Sequence, residues 1–210
     1  MQGTSSRIIF LDWDGTLSSG RFWSSLDEAD SNLIQDNLFI GNQSLVREWM
    51  MGKVTSEDVC LWLSLQTGLE YDRLFKTLVA DCGTMKIDPP TKNVLAQFST
   101  GVKLILITDN MDCFTRFTIP TTNLNEIFHD IFNSSDIGRL KKEGRGKTFL
   151  DAAKKHETQI EDCILIDDSS KTCELFRSLG GTTHLTVNPQ NTFEILTSKI
   201  IRTIPDEKHC

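Results

Sequence analysis

The chain has 210 residues, of which 39% are hydrophobic and 24% charged, and its formal net charge is −7 at pH 7. These values are typical of a soluble globular protein with one core domain and a modest insert. An acidic balance without any basic run argues against nucleic-acid binding. No apolar run approaches the ~18 residues of a membrane span, and the N-terminus lacks a secretory pattern. We therefore expect a cytoplasmic protein without nucleic-acid or membrane partners, and no pattern predicts its oligomeric state.

The cysteines of the chain are scattered and form no C-x-x-C pair. No histidine lies near them at the spacing of a zinc site. Reduced thiols are therefore predicted, rather than a disulfide framework or a zinc centre. Cys163 lies within an apolar run and is expected to pack as a small hydrophobic side chain.

The most informative segment lies near the N-terminus, where the apolar residues 8–11 predict a buried strand. Asp12 and Asp14 follow it, and because side chains alternate along an extended backbone, both are expected on the same side. Two neighbouring carboxylates repel each other, so a fold tolerates them mainly where a cation or a proton transfer requires them. Gly15 then permits the tight turn that leaves the strand.

Residues 18–87 contain no convincing buried strand but show apolar side chains at helical spacing. Ser56, followed by two acidic residues, predicts the start of one of these helices. We predict a small helical domain over 18–87, inserted into a core formed by 1–17 and 88–210. Adjacent prolines after Asp88 mark the return to the core, because paired prolines break a helix.

Four further apolar segments are predicted to be buried strands, and helical patterns alternate with them. The strands are expected over 102–107, 130–133, 163–166 and 183–187, and the helices over 91–99, from 149 to 155 and over 170–179. This alternation is typical of an α/β protein with a doubly wound parallel sheet. Ligands bind to such sheets beyond the carboxyl ends of the strands. Asp12, Thr108 and Asp168 each come at the end of a predicted strand, so we expect them to meet in one site.

The segment from Cys163 repeats the opening pattern, because an apolar strand again ends in two acids, Asp167 and Asp168. A solvated acidic turn would explain one such segment, but two in one chain favour a functional site. Thr108 offers a hydroxyl that could donate to a phosphoryl oxygen, or that could simply cap the following turn.

These segments resemble, in order, motifs of the haloacid dehalogenase-like hydrolases, most of which are magnesium-dependent phosphatases. The segment from Asp12 to Thr16 is similar to the first motif, Thr108 to the hydroxyl of the second, and the acidic pair ending in Asp168 to the fourth. The resemblance covers nearly the whole chain and is weakest in the insert. The chain departs from the family at Asp109, where asparagine is common, and this changes the charge expected beside the phosphate.

The family's third motif is a lysine, and the sequence leaves three candidates for it. Counting forward without a gap from the similar segment 126–138 places the lysine at Lys141. Counting backward from the next predicted helix requires two extra residues in the loop. Lys142 and Lys147 therefore remain alternatives, the second because it would open that helix. Each of the three could also be an ordinary surface lysine.

The resemblance implies a Mg²⁺-dependent phosphatase that hydrolyses a small phosphate ester through an aspartyl-phosphate at Asp12. It implies that Asp12, the backbone carbonyl of Asp14, and Asp168 bind the metal, with Asp167 in support. Asp14 would serve as general acid and then general base. Two further residues would offset charge on the phosphate, namely Lys141 and Thr108.

By the same resemblance, the insert would act as a lid that excludes water and shapes the leaving-group pocket. Candidate pocket residues follow the first motif or lie on the first helical segment of the insert. They are Arg21, Phe22, Trp23 and Arg47. Aromatic side chains in such positions more often belong to the core.

Three other functions are consistent with parts of the pattern. A metal-independent 2-haloacid dehalogenase would share the nucleophile, but Asp14 and the second acidic pair speak against it. A non-catalytic binding module on the same scaffold would be expected to lose Asp12, Asp14 or Asp168, and all three are present. A phosphotransfer mutase would share the covalent intermediate, and the motifs do not separate it from a phosphatase.

Overall fold

The computed structural model describes residues 7–98 and 102–201. Five parallel strands form one sheet in the order β3-β2-β1-β4-β5. The strands are β1 (Arg7–Leu11), β2 (Val102–Thr108), β3 (Asp130–Asn133), β4 (Cys163–Asp167) and β5 (Thr182–Leu185). Because the chain builds outward from β1 in one direction and then returns to its other side, the topological switch point lies between β1 and β4. The predicted α/β class and the doubly wound parallel sheet are confirmed.

Helices precede, connect and follow these strands. They are α1 (Glu28–Ile34), α2 (Gln43–Met50), α3 (Ser56–Thr67), α4 (Tyr71–Thr84), α5 (Pro89–Leu95), α6 (Ile119–Thr122), α7 (Ser134–Ile137), α8 (Lys147–Lys155), α9 (Ser170–Ser178) and α10 (Pro189–Ile195). π-helical turns occur at Gln35–Ile40, Phe114–Thr118 and Leu196–Ile200, and 3₁₀ turns at Leu124–Glu126, Glu143–Arg145 and Ile160–Asp162. None of the helices in the described ranges has the length and apolar character needed to traverse a bilayer.

The central strands are apolar along their whole length because both faces of the sheet are covered. Alternate residues of β1 belong to different cores, with Ile9 on one face and Phe10 on the other. The ring of Phe10 contacts Phe149 of α8 and Phe176 of α9 edge-on, with centroids 5.7 and 5.8 Å apart. This layered packing holds the carboxyl end of β1 in a fixed position.

The helices of the insert, here residues 18–87, pack around a separate apolar cluster. Its centre contains Trp23 and Trp49, whose rings lie 6.0 Å apart. The indole Nε1 of Trp23 donates a hydrogen bond of 2.9 Å to the carbonyl of Leu74. Met111 and Cys113, from the loop after β2, join the same cluster. The insert therefore packs against the loop that leaves the carboxyl end of β2.

The structure corrects two sequence predictions, one about the last strand and one about the prolines after Asp88. The buried strand predicted at 183–187 is an edge strand that ends at Leu185, and Leu185 (49%) and Val187 beyond the strand (76%) are exposed. The adjacent prolines open α5 rather than only breaking a helix, because proline lacks an amide hydrogen that the first turn would leave unpaired. Asp88 is the N-cap, and its side chain accepts from the amide of Thr91. The predicted end of this helix, at 99, lies outside the described residues.

Other helix boundaries depend on capping. Helix α3 follows Thr55, whose hydroxyl forms a reciprocal capping box with Asp58, so the cap lies one residue before the predicted start at Ser56. Helices α1, α6, α7 and α10 were not predicted. Cys163 is buried in β4, as expected of a small hydrophobic side chain.

Candidate active site

Three carboxylates meet where β1 and β4 end side by side. The amide of Asp12 donates to the carbonyl of Ile166 at 3.1 Å, which extends the pairing of the two strands beyond β1. Asp12, Asp167 and Asp168 each place one oxygen within 4.8 Å of the others. Asp12 is only 6% exposed and Asp167 is fully buried, whereas Asp168 is open to solvent. The convergence of Asp12 and Asp168 that the sequence predicted is present.

Gly15 makes this convergence possible. Its φ is +68°, in the left-handed region, and a Cβ at this position would lie 2.3 Å from Oδ2 of Asp168. The turn after β1 therefore requires glycine for its backbone conformation and for the close approach of Asp168.

Lys141 is the lysine that reaches the acids. Its Nζ lies 2.8 Å from Oδ2 of Asp12 and 2.8 Å from Oδ2 of Asp167, and the residue is only 4% exposed. Lys142 and Lys147 are exposed. Asp109 helps to hold the lysine segment, because its Oδ1 accepts from the amide of Lys141 at 2.7 Å.

The electrostatics of the cluster favour a bound cation. Burial raises the pKa of Asp12 to about 7, although Lys141 acts in the opposite direction. Burial opposes the charge on Lys141, but Asp12 and Asp167 outweigh it and raise the pKa of the ammonium. Burial, assisted by Asp167, also raises the pKa of Asp168. When all are ionised, three carboxylates and one ammonium carry two net negative charges, which a divalent cation would balance.

The hydrogen bonds separate the roles of the three acids. Oδ1 of Asp12 is buried and has no hydrogen-bond partner among the described residues. Both carboxylate oxygens of Asp167 already accept, one from Lys141 and the other from the amide of Ser169 at 2.8 Å. Asp12 and Asp168 thus offer free oxygen ligands that suit Mg²⁺, while Asp167 fits the supporting role that the resemblance implies.

Asp14 does not belong to the cluster of three carboxylates. Its side chain is accessible to solvent, but the surrounding protein displaces enough water to raise the pKa of its carboxyl to about 6. Lys141 and Arg21 lower this pKa, and Asp168 raises it. Oδ2 of Asp14 accepts a hydrogen bond of 3.0 Å from Nδ2 of Asn110. A carboxyl with this pKa can exchange a proton near neutral pH.

Thr108 ends β2 at the same side of the sheet. The residue is 1% exposed, and its hydroxyl has no partner among the residues that the structure describes. A buried unpaired hydroxyl costs ~1–3 kcal/mol, so a ligand oxygen that accepts from it would be favoured. This arrangement suits the predicted contact with a phosphoryl oxygen.

The candidate pocket residues of the insert divide into two kinds. Trp23 is buried in the apolar cluster of the insert, and Phe22 is half-buried against it, as the packing alternative predicted. The guanidinium of Arg47 pairs with the carboxylate of Glu143, two residues beyond Lys141. Arg21 is exposed and acts electrostatically on Asp14. Arg21 is therefore the pocket candidate that acts on a site residue, while Arg47 contacts the segment that follows Lys141.

Sequence reasoning missed Asn110 and Ser134. Asn110 is fully buried, and its side chain donates to Asp14. Ser134 follows β3 and accepts from the amide of Asn110 at 3.0 Å. Both residues come just after predicted strands, at the carboxyl end of the sheet where the site was expected. Their position could therefore have marked them as site residues.

The chain has the fold of the haloacid dehalogenase-like hydrolases, which confirms at the level of fold the resemblance seen in the motifs. No protein-family model and no curated protein matches the sequence. Solved structures do match in shape, at identities that establish the fold alone.

Three of the matching structures illustrate the similarity. A haloacid dehalogenase (HAD) family enzyme of Bacteroides thetaiotaomicron, in complex with magnesium and inorganic phosphate, superposes with a TM-score of 0.66 at 14% identity, covering 85% of this chain and 93% of that one. A predicted HAD-like hydrolase of Porphyromonas gingivalis gives 0.67 at 18% identity, covering 91% and 96%. The L-2-haloacid dehalogenase RSc1362 gives 0.61 at 15% identity, covering 92% and 98%.

Proposed function

We propose that this protein is a Mg²⁺-dependent phosphatase that hydrolyses a small phosphate monoester through an aspartyl-phosphate on Asp12. The observation that carries this proposal is the cluster of three carboxylates within 4.8 Å, with the buried ammonium of Lys141 at 2.8 Å from two of them. The magnesium and phosphate complex of the Bacteroides enzyme, which shares the fold, supports it.

In the first half of the reaction, a carboxylate oxygen of Asp12 attacks phosphorus, and the bond from phosphorus to the ester oxygen breaks. Asp14 gives its proton to the departing oxygen, so an alcohol leaves. Lys141 and the hydroxyl of Thr108 hold the phosphoryl oxygens by charge and hydrogen bonding. The raised pKa of Asp14 keeps a useful fraction of its carboxyl protonated near neutral pH.

In the second half, Asp14 takes a proton from water, whose oxygen attacks phosphorus and breaks the bond to Asp12. The products are inorganic phosphate and a free Asp12 carboxylate. Mg²⁺, held by Asp12, Asp168 and the backbone carbonyl of Asp14, would supply charge neutralisation for the phosphoryl group. Asp167 keeps Lys141 directed at the reaction site.

We further propose that residues 18–87 form a lid domain over a core of residues 1–17 and 88–210. The insert contacts the loops after β2 and β3 and pairs Arg47 with Glu143. It is therefore placed to exclude bulk water and to shape the leaving-group pocket.

Replacement of the nucleophile tests the proposal directly. Asp12→Asn should stay folded and lose more than about 10³-fold of the Mg²⁺-dependent hydrolysis of p-nitrophenyl phosphate, because an amide cannot form the acyl phosphate. Asp136→Asn, which alters an exposed acid outside the site, is the matched control and should retain activity. Retained activity in Asp12→Asn would exclude Asp12 as the nucleophile.

A 2-haloacid dehalogenase is the alternative that the fold comparison favours, since two such enzymes share the fold. It would release chloride from a 2-haloacid without added Mg²⁺. That result, with no phosphate release from a panel of metabolite esters, would replace the phosphatase proposal. Bisphosphate-dependent isomerisation would instead indicate a mutase, and no turnover of any kind a binding module.

A further inference from the structure

The side chain of Asn110 is fixed at both ends. Its Oδ1 accepts from the amide of Met111 at 2.9 Å, which identifies the other end of the carboxamide as the NH₂ group. That NH₂ group donates to Oδ2 of Asp14 at 3.0 Å. Asn110 is fully buried, so this hydrogen bond is shielded from water on the asparagine side. It leaves Oδ1 of Asp14 as the oxygen that can carry a transferable proton.

The backbone of Asn110 is held in turn by the segment that follows β3. Its amide lies 3.2 Å from Oδ1 of Asn133 and 3.0 Å from Oγ of Ser134. Both of these residues are buried, and Nδ2 of Asn133 donates to the carbonyl of Met111 at 3.0 Å. The loop after β2 is therefore tied to the end of β3 on both sides of Asn110.

Ser134 also contacts the insert. Its hydroxyl carries one proton and has two acceptors within reach, the carbonyl of Met50 at 2.6 Å and the carbonyl of Asn110 at 3.2 Å. The shorter distance assigns the proton to Met50, the last residue of α2. If the insert moved away, the hydroxyl of Ser134 would donate to the carbonyl of Asn110 instead. This would change the hydrogen bonding of the loop that carries the Asn110 side chain.

Other contacts hold the insert in this position. Oδ1 of Asp112 accepts from the indole of Trp49 at 2.7 Å and from the hydroxyl of Ser56 at 2.6 Å. Arg116 pairs with Asp112 at 2.7 Å and with Glu57 at 2.6 Å. The loop after β2, which begins with the Asn110 segment, is thus joined to α2 and α3 of the insert.

From these contacts we propose that Asn110 is a positioning residue that orients the carboxyl of Asp14 toward the leaving group. Ser134 bonds to both Asn110 and Met50, so the orientation of Asp14 depends on the contact between the insert and Ser134. The proposal rests on the phosphatase function above. Asn110 acts through Asp14, so its removal should impair the two proton transfers that Asp14 carries out, and first-turnover release of the leaving group measures the first of them alone.

The test compares two esters that differ in their need for a proton. Phenyl phosphate releases a poor leaving group, whereas p-nitrophenyl phosphate releases a good one. Asn110→Ala should slow first-turnover release of phenol by about 10–100-fold and release of p-nitrophenol by less than about 3-fold. In an Asp14→Asn background, Asn110→Ala should cause no further loss with either ester, because its partner is already removed.

Variants at the end of β3 separate positioning from general damage to the loop. Ser134→Ala should act like Asn110→Ala but more weakly, and it carries the same comparison if Asn110→Ala does not fold. Ser135→Ala is the matched control, since its hydroxyl accepts from Asn133 and forms no hydrogen bond with Asn110 or Met50 among the described residues. It should leave the rates with both esters unchanged.

Failure of this inference differs from failure of the proposed function. Equal losses with both esters, or additive losses in the double variant, would overturn the role of Asn110 while leaving the phosphatase intact. If the unaltered protein hydrolyses neither ester and no other phosphate ester, both proposals fall.

Discussion

At the scale of single residues, the site depends on Gly15, which leaves room for the carboxylate of Asp168. Gly15 has a positive φ and faces Oδ2 of Asp168 across a space too small for a methyl group. Gly68, the C-cap of α3, has a similar φ of +76°, but a Cβ there would meet nothing within 4 Å. A substitution at Gly68 would therefore strain the backbone alone, whereas one at Gly15 would also displace Asp168, a proposed metal ligand.

We predict that Gly15→Ala weakens Mg²⁺ activation by at least about 10-fold, because the new methyl group must displace Asp168. Both Gly15→Ala and Gly68→Ala should cost about 1–2 kcal/mol of folding free energy from the left-handed backbone. Titration of activity with Mg²⁺ and thermal denaturation measure the two effects. Equal Mg²⁺ activation of the two variants would show that Asp168 does not bind the metal.

At the scale of elements, the end of α2 lies against the segment after β3. Gly52 follows this helix with φ +66°, and a Cβ there would lie 2.1 Å from the carbonyl oxygen of Ser135. Because the obstacle is backbone, a rotamer change cannot relieve it. The position of the insert relative to the sheet is therefore fixed by direct backbone contact at this point.

We predict that Gly52→Ala moves the end of α2 away from α7 and breaks the hydrogen bond from Ser134 to Met50. Hydrolysis of phenyl phosphate should fall by about 10-fold or more, in line with loss of precise positioning. Gly68→Ala is again the control, since it places the same strain in the insert without a clash. Unchanged kinetics in Gly52→Ala would indicate that seating of the insert does not affect the chemistry.

At the scale of the whole molecule, the carboxylates of the candidate site outnumber the one ammonium, Lys141, that is buried with them. The carboxyl of Asp12 has a pKa of about 7 in the folded protein and an ordinary value of 3.8. The folded state therefore holds this proton more tightly than the unfolded state. The free energy of unfolding should fall as pH rises from about 4 to about 7 and level off above that range, and Asp14 acts in the same direction.

We predict that Mg²⁺ reverses this loss, because it binds the ionised acids of the folded protein only. Saturating Mg²⁺ should raise the melting temperature by about 5 °C or more near pH ~8 and by much less near pH ~5. Asp168→Asn should reduce the shift. Scanning fluorimetry with and without a chelator measures it, and an equal shift at both pH values would contradict metal binding to ionised Asp12.

The central strands and the acids that end them were predictable, since a buried apolar run followed by carboxylates is a local pattern. The edge position of β5 was not, because Leu185 is apolar in sequence and its exposure follows from the place of β5 at the edge of the sheet. The choice among three lysines likewise depended on the path of the loop, where Gly144 and Arg145 both adopt positive φ. The start of α5 at Pro89 was predicted two residues too late. Proline lacks the amide hydrogen, so it can end one helix or begin another, and the sequence alone does not distinguish the two cases.

By itself, the sequence determined the class of fold and the acids that could hold a cation, since both follow from hydrophobic period and from residue type. Only the tertiary structure decided that Lys141 is the buried lysine, which pairs with Asp12 and Asp167, and that Asn110 holds Asp14. These are contacts between residues 26 to 129 positions apart in the chain. Side chains so distant meet only when parallel strands bring their carboxyl ends together, and no local pattern records which of them will touch.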